Sequence, residues 1–254
     1  MRVRVMILGG TAEARQLAEV LHGRGVATLT SLAGVTRQPA SLPGDVRRGG
    51  FGGVGGLAAA LAEERITALV DATHPFAQGI TANAVRAAKV ARCPLLVLRR
   101  PAWERTDGAD WSHFADLSAA MAALPAGARA LLATGSGSAQ ALDLRPDLAL
   151  FLRSIEPVEA LPAHVTQILA RPPFSYEEEV ELLRAQRITH LVTRNAGGTE
   201  GGAKLDVAAA LGLRVMVIDR PPLPEGVTRV GTVGEALGWL ARRGVLDTPS
   251  GPAA

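Results

Sequence analysis

The sequence predicts an α/β fold in two parts, each built on a parallel β-sheet that helices cover on both faces. Short apolar runs alternate with segments whose apolar residues recur at helical spacing, and this alternation is typical of parallel sheets. Glycine-rich turns follow several of the apolar runs, at the points where strands would give way to helices. The polar segment 99–110 interrupts this pattern, which then begins again.

The first part begins with an apolar run, a glycine turn and an amphipathic helix. Ala14, Leu17, Ala18 and Leu21 recur at helical spacing after the turn, and Pro75 stands at the start of a later helix, where proline is tolerated. In chain order the predicted elements are strand 3–8, helix 12–23, strand 27–32, helix 57–64, strand 66–70, helix 75–91 and strand 94–98.

The second part repeats this order of strands, turns and helices. Ser175 and Glu178 have the spacing of a capping box, which predicts that a helix begins there. The predicted elements are strand 130–133, a helix ending near 142, strand 148–152, helix 175–185, strand 188–193, helix 205–211, strand 215–218 and helix 233–242. We therefore expect a first domain at residues 1–100, a second domain at residues 101–245 and a flexible tail at residues 246–254.

The composition excludes several classes of protein. Of the 254 residues 48% are apolar, which excludes a disordered chain. Cys93 is the only cysteine, which excludes a disulfide scaffold and favours the reducing cytoplasm. No apolar run approaches the roughly 18 residues of a membrane span. Residues 1–100 carry 13 basic and 6 acidic side chains, which suits an anionic ligand, but no basic run or aromatic-lined stripe supports a nucleic acid.

The first glycine turn, Gly9-Gly10-Thr11-Ala12-Glu13-Ala14, has features of a dinucleotide-binding turn. Glycines let the backbone approach a phosphate, and the following helix offers unpaired N–H groups at its N-terminus. Gly9 and Ala14 match the first and last positions of the G-x-G-x-x-G/A pattern, whereas Thr11 replaces the middle glycine. Glu13 would repel a pyrophosphate unless Arg15 or Arg37 compensates its charge. A tight turn without a ligand is the alternative interpretation.

The end of the second predicted strand lacks the carboxylate that would bind the ribose 2′-hydroxyl of NADH. Ser31 stands there instead, and Arg37 follows closely. A hydroxyl and a guanidinium suit a 2′-phosphate, so the sequence favours NADPH over NADH. An ordinary loop is the alternative.

Two further turns hold candidate ligand-binding side chains. Thr73 and His74 follow the third predicted strand, and histidine is a poor helix N-cap, so capping alone does not account for His74. A structural histidine is the alternative. In the second part, Ser136 lies in the turn Thr134-Gly135-Ser136-Gly137-Ser138, which has the composition either of an anion-binding turn or of a simple helix N-cap.

The segment 194–206 combines glycines with flanking cations. Arg194 precedes Gly197 and Gly198, and Lys204 follows them, which predicts a site for phosphate or carboxylate. A mobile surface loop is the alternative. The sequence contains no cysteine and histidine cluster with zinc spacing, no G-x-S-x-G motif and no Walker loop, so no metal site is expected.

Taken together, these segments resemble the precorrin-6A reductase family of cobalamin (corrin ring) biosynthesis. The matching motifs follow the family's order and span nearly the whole chain: ILGGTAEARQLA (7–18), DATHPFA (71–77), RRPAW (99–103), TGSGS (134–138), RPPFSYEEE (171–179) and RNAGGTEGGAKLDVAAA (194–210). The resemblance implies two Rossmann-like α/β domains with the active site in a cleft between them. It also implies reduction by NADPH of one carbon–carbon double bond of precorrin-6A, which gives precorrin-6B.

The resemblance further implies roles for residues. Those that would hold NADPH are Gly9, Gly10, Thr11, Glu13, Ala14, Ser31, Arg37 and Thr73. Those that would face the polycarboxylate substrate are His74, Ser136, Arg194, Gly197, Gly198 and Lys204. His74 and Lys204 are the candidates for a catalytic group. Arg194 departs from the lysine of many relatives, which keeps the charge and changes the donor geometry.

The expected partners are the tetrapyrrole substrate and, as candidates, neighbouring enzymes of the corrin pathway; a monomer would suffice. Two alternatives stay open: the chain could be a reductase of the cobalt-containing macrocycle or a non-catalytic NADPH-sensing module. A nucleic-acid binder, which only the pI of about 9.7 suggests, is not expected.

Overall fold

The computed structural model describes residues 3–33, 42–135, 142, 145–199 and 201–246. The chain divides into two units, residues 1–100 with 221–254 and residues 101–220. Each unit contains one six-stranded sheet, and the strand pairs recorded within the described residues are all parallel. The predicted α/β class with two parallel sheets is therefore confirmed. No helix in these described ranges is both long and apolar enough to cross a membrane.

The first unit is built around the buried strand β1. In chain order it contains β1 (Arg4–Leu8), α1 (Ala12–Gly23), β2 (Ala27–Leu32), β3 (Asp45–Arg48), α2 (Val54–Glu63), β4 (Ala68–Asp71), α3 (Gln78–Ala91) and β5 (Leu95–Leu98), and near the C-terminus β12 (Arg229–Val230) and α7 (Val233–Ala241). The strand order is β3-β2-β1-β4-β5-β12. The predicted inner face of α1 is confirmed, because Ala14, Leu17, Ala18 and Leu21 are its buried residues.

The C-terminal segment corrects the predicted domain boundaries. The break after residue 100 agrees with the prediction, but residues beyond 220 belong to the first unit and not to the second. β12 pairs with β5, and Trp239 and Leu240 of α7 pack in the same core as Leu17 and Leu21 of α1. An amphipathic pattern shows that a helix has a buried face but not which sheet it covers. Leu246 of the predicted tail is buried in this core, and residues 247–254 lie outside the described residues.

The second unit also contains one six-stranded parallel sheet, but its strands follow one another along the chain in a different order. It contains β6 (Asp110–Phe114), α4 (Leu117–Ala122), β7 (Arg129–Ala133), β8 (Ala149–Ser154), β9 (Val165–Leu169), α5 (Tyr176–Ala185), β10 (His190–Arg194), α6 (Ala203–Ala210) and β11 (Arg214–Ile218). The strand order is β9-β8-β7-β10-β11-β6. Ser175 and Glu178 form the predicted capping box. The helix predicted after residue 134 falls mostly outside the described residues.

In both sheets, the direction in which successive strands are added changes at the centre of the sheet. The position of this change locates the candidate sites. The order changes between β1 and β4 in the first sheet and between β7 and β10 in the second. In open parallel sheets, ligands bind outside the carboxyl ends of the strands at such a reversal. The turns after β1, β4 and β10 are therefore the places where functional side chains are expected.

Candidate functional site

The turn after β1 brings the backbone close to β2. The Gly9 N–H donates to the Ser31 carbonyl at 2.9 Å. A Cβ on Gly9 would lie 3.1 Å from the Thr30 Cγ2 and 3.3 Å from the Leu32 Cδ2, so a larger residue would push the turn away from the sheet. Gly10 has φ +115°, and a Cβ there would meet nothing within 4 Å. The turn is thus tight on its inner side and open on its outer side.

Thr11 explains why the middle glycine of the dinucleotide pattern can be replaced. Its hydroxyl donates to the Ala72 carbonyl at 2.8 Å and accepts from the Ala14 N–H at 3.2 Å. The side chain therefore caps α1 and joins the turns after β1 and β4 instead of covering the turn. The N–H groups of Ala12 and Glu13 lie in the first helical turn, where no intrahelical acceptor exists, and they remain suited to an anion.

Glu13 has a partner that the sequence did not reveal. Its Oε2 lies 2.7 Å from an Nη of Arg100, and the two side chains are only 22% and 15% exposed. The structure thus pairs Glu13 with Arg100 rather than with the predicted Arg15, and Arg37 lies outside the described residues. This pairing offsets the negative charge that would otherwise repel a pyrophosphate at the turn.

Arg47 supplies a cation beside Ser31. The two residues are paired in the β2–β3 register, and the Arg47 Nη1 donates to the Ser31 Oγ at 3.2 Å. Two glycine carbonyls that follow β3 accept further bonds from the same guanidinium. The Arg47 Cζ lies 3.8 Å from the centre of the Phe51 ring. Arg47 thus places a guanidinium beside the hydroxyl of Ser31, whereas the expected Arg37 lies outside the described residues.

The turn after β4 is held by a buried carboxylate. Asp71 accepts the Thr73 N–H at 3.1 Å and the Thr73 hydroxyl at 2.7 Å, and its second oxygen accepts the Thr81 hydroxyl at 2.6 Å. These bonds hold Pro75 in a turn, so α3 begins at Gln78 and not at the predicted Pro75. The hydroxyl hydrogen of Thr73 is used by Asp71, which leaves only its oxygen lone pairs for a cofactor.

His74 lies half-buried in this turn, next to the turn after β1. Its Nδ1 accepts the Phe76 N–H at 3.3 Å, and the two rings lie 5.8 Å apart. A nitrogen that accepts a hydrogen bond carries no proton, so the neutral ring is protonated at Nε2. The N–H of the neutral ring therefore lies at Nε2.

In the second unit, the glycine segment after β10 is bound to Trp103. The Trp103 N–H donates to the Asn195 Oδ1 at 2.8 Å, and the Asn195 Nδ2 donates to the Trp103 carbonyl at 3.1 Å. The Trp103 Nε1 donates to the Gly198 carbonyl at 2.7 Å. Arg220 adds bonds to the carbonyls of Asn195 at 2.6 Å and Ala196 at 2.8 Å. These hydrogen bonds tie Asn195, Ala196 and Gly198 to Trp103 and Arg220.

Lys204 is buried and Arg194 is half-buried, at the two ends of the glycine segment. Lys204 is 6% exposed, donates to the Gly201 carbonyl and places its Nζ 4.4 Å from the centre of a Trp103 ring. These contacts give Lys204 a role in holding the glycine segment. Arg194 is half-buried at the end of β10, and burial lowers the pKa of its guanidinium.

The structure thus groups the predicted residues at two sheet edges. Gly9, Gly10, Thr11, Glu13, Ala14, Ser31, Thr73 and His74 lie at the carboxyl end of the first sheet, whereas Arg194, Gly197, Gly198 and Lys204 lie at or beyond the end of β10 in the second. Arg37 and Ser136 lie outside the described residues. The sequence analysis missed the roles of Arg47, Arg100, Trp103, Asn195 and Arg220. Among the described residues, no group of three or more histidine, cysteine or acidic side chains could hold a metal ion.

Comparisons with known proteins agree with one another. Residues 4–241 match the family model described as precorrin-6x reductase CbiJ/CobK. A precorrin-6A reductase of Rhodococcus erythropolis is 46% identical over 240 residues, which cover 93% of this chain and 97% of that protein. A cobalt-precorrin-6A reductase of Salmonella typhimurium is 31% identical over 238 residues, covering 87% and 89% of the two chains. The solved structure of a CobK precorrin-6A reductase matches with a TM-score of 0.91 and 42% identity over 98% of this chain and 99% of that one.

Proposed function

The chain belongs to the precorrin-6x reductase family, and from that premise we propose that it reduces one carbon–carbon double bond of precorrin-6A with hydride from NADPH to give precorrin-6B. Identity to the precorrin-6A reductase, at 46%, exceeds that to the cobalt-precorrin-6A reductase, at 31%, which favours the metal-free macrocycle as substrate. The reaction belongs to cobalamin biosynthesis, and we expect the enzyme to act in the cytoplasm.

The turn after β1 is the observation that carries the cofactor proposal. Its glycine at φ +115° is open on the outer side, and the N-terminus of α1 begins directly beyond it, at the central reversal of the sheet. Thr11 keeps its side chain turned inward, and Arg100 offsets the charge of Glu13. The residues present therefore fit a pyrophosphate, which the helix N-terminus and the exposed N–H groups would bind.

NADPH supplies the hydride when it is bound, and the protein contributes binding, orientation and exclusion of water. The pair of Ser31 and Arg47 supports NADPH over NADH, because a guanidinium and a hydroxyl suit the charge and acceptors of a 2′-phosphate. Arg47 is the described arginine that supports this preference, and the expected role of Arg37 stays a prediction.

Substitution of Arg47 by methionine tests the cofactor preference. Methionine keeps an apolar stem over Phe51 but removes the cation, so we expect the KM for NADPH to rise about tenfold or more and the KM for NADH to change little. The measurement is the oxidation of each cofactor at 340 nm under anaerobic conditions with precorrin-6A. Arg48→Met is the matched control, because Arg48 is the exposed neighbour on the opposite face of β3. An equal rise for both cofactors would remove the assignment of the 2′-phosphate to Arg47.

His74 is the described residue best suited to donate a hydrogen bond or a proton near the cofactor site. Asparagine at this position can still accept the Phe76 N–H but loses the donor at Nε2, whereas glutamine keeps a donor near that place. We expect His74→Asn to lower kcat with precorrin-6A about tenfold and His74→Gln to retain more of it, since a hydrogen bond to a charged group contributes about 1.5–3 kcal/mol. The KM for NADPH should stay unchanged in both. Wild-type kcat in His74→Asn would exclude His74 from the reaction.

The glycine segment after β10 supports a second binding function beyond the cofactor. Arg194 and the N-terminus of α6 are suited to carboxylates of the macrocycle, and Trp103, Asn195 and Lys204 hold the segment that presents them. We assign Lys204 a positioning role, because its ammonium is buried against Trp103. A module that only senses NADPH would need no such second segment.

A further inference from the structure

An open cavity of about 280 Å³ lies at the carboxyl end of the first sheet, beside the start of α3. Gln78, Thr81 and Ala82 of α3 line one side, and residues 221–224 line the other. Arg99, which follows β5, completes the wall. Pro75, in the turn after β4, also lines the cavity. All of these residues belong to the first unit, and none of them is part of the turn after β1.

Arg99 makes the cavity cationic. It is 9% exposed, and its Nη2 donates to the Pro221 carbonyl at 2.9 Å. Its burial and the charge of Arg229 lower the pKa of Arg99, whereas Asp71 raises it. The carboxylate of Asp71 already accepts three hydrogen bonds, from Thr73 and Thr81. Among the residues that line the cavity, Arg99 is the only charged one, so an anion would offset its charge.

The walls restrict what kind of anion fits. Three of residues 221–224 are prolines, which have no N–H to donate, and Leu223 and Ala82 add apolar surface. The hydroxyl hydrogen of Thr81 is given to Asp71. The first turn of α3 contains no acidic residue and has no side-chain cap, so its N–H groups and dipole also favour an anion. A cavity that combines the Arg99 guanidinium with apolar walls suits a carboxylate on a short aliphatic chain.

The size of the cavity indicates that it takes part of a ligand and not the whole. Sites that enclose a drug-sized molecule measure roughly 300–1,000 Å³, and a site that encloses a whole macrocycle must be larger still. We propose that this cavity binds one acetate or propionate arm of the macrocyclic substrate, with Arg99 pairing its carboxylate. The inference rests on the substrate proposed above and adds a subsite that fixes the orientation of the ring.

Substitution of Ala82 by leucine tests the subsite without removing a polar group. Leucine is a good helix former and Ala82 is exposed, so α3 should fold normally while the added side chain fills the cavity. We expect the KM for precorrin-6A to rise about tenfold, with kcat and the KM for NADPH unchanged. Ala59→Leu, at an exposed position of α2 away from the cavity, is the matched control and should behave as the wild type. A raised KM for NADPH, or an unchanged KM for precorrin-6A, would overturn the proposal.

A direct titration separates this subsite from the proposed reaction. Propionate is added to the wild type, Arg99→Met and Ala82→Leu proteins and followed by chemical-shift changes, with sodium chloride at matched ionic strength as the control. We expect propionate to bind the wild type and to lose at least tenfold in affinity in both variants. No binding to the wild type would overturn the subsite even if precorrin-6A is reduced. Loss of propionate binding with an unchanged KM for precorrin-6A would assign the cavity to free carboxylates and not to the substrate.

Discussion

Replacement of Gly197 by alanine is expected to destabilise the second unit by about 3 kcal/mol or more, from backbone strain and overpacking together, and to abolish turnover in the protein that still folds. A Cβ at this position would lie 2.0 Å from the Pro101 carbonyl oxygen and 2.3 Å from an Nη of Arg220. The backbone also has φ +66°, which costs a non-glycine residue about 1–2 kcal/mol. Because Arg220 donates to the carbonyls of both Pro101 and Ala196, neither neighbour can move without breaking hydrogen bonds.

Gly212 provides the matched control for this experiment. It has φ +65°, and a Cβ there would meet nothing within 4 Å. Gly212→Ala should therefore cost only the backbone strain of about 1–2 kcal/mol. Urea unfolding followed by circular dichroism measures both values, and the difference between them reports the steric contact of Gly197. Equal losses in the two variants would mean that the segment moves aside freely, and the predicted loss of turnover would then have no structural basis.

The buried part of each sheet could be predicted from the sequence because burial leaves a local pattern. Strands β1 and β4 are continuous apolar runs or nearly so, and the inner face of α1 follows from helical spacing alone. Strands at the sheet margins leave no such pattern. β3 and β6 are mostly exposed and carry charged or polar side chains, so they were not predicted. Edge strands with polar side chains are common because they resist pairing with other chains.

The partners of the functional side chains could not be predicted from residues that lie nearby in the chain. The sequence offered Arg15 and Arg37 as partners for Glu13 because they lie nearby in the chain, but the structure uses Arg100, 87 residues away. Arg47 reaches Ser31 because two parallel strands place them side by side, and β3 had not been predicted. The turns after β1 and β10 were located correctly, since a glycine after an apolar run marks the carboxyl end of a strand. Which side chains meet there depends on strand order, which no local pattern contains.

The ion pair of Arg153 and Glu179 joins the end of β8 to the start of α5 in the second unit. The two side chains are 8% and 2% exposed, and an Nη of Arg153 lies 2.8 Å from the Glu179 Oε1. The Arg153 Cζ also lies 4.2 Å from the centre of the Phe174 ring. The second oxygen, Oε2, has no hydrogen-bond partner among the described residues. The carboxylate therefore depends mainly on Arg153 for compensation of its buried charge.

Replacement of Arg153 by methionine is expected to lower the free energy of unfolding by about 3–5 kcal/mol, because it leaves a buried carboxylate without its cation. The double variant Arg153→Met with Glu179→Met should recover most of this loss, since apolar side chains of similar volume replace a buried pair with little cost. Urea unfolding of the two single variants and the double variant gives the coupling energy directly.

The dependence on pH distinguishes a lost charge pair from lost packing. A carboxylate that is buried without its cation gains a proton more readily in the folded state than in the unfolded state, so the folded variant binds more protons. Stability then falls as pH rises, and the deficit of Arg153→Met should be larger at about pH 7 than at about pH 5. The double variant has no such carboxylate and should show no added dependence. A deficit that is independent of pH and persists in the double variant would assign the loss to the packing of Phe174 on the guanidinium and not to the ion pair.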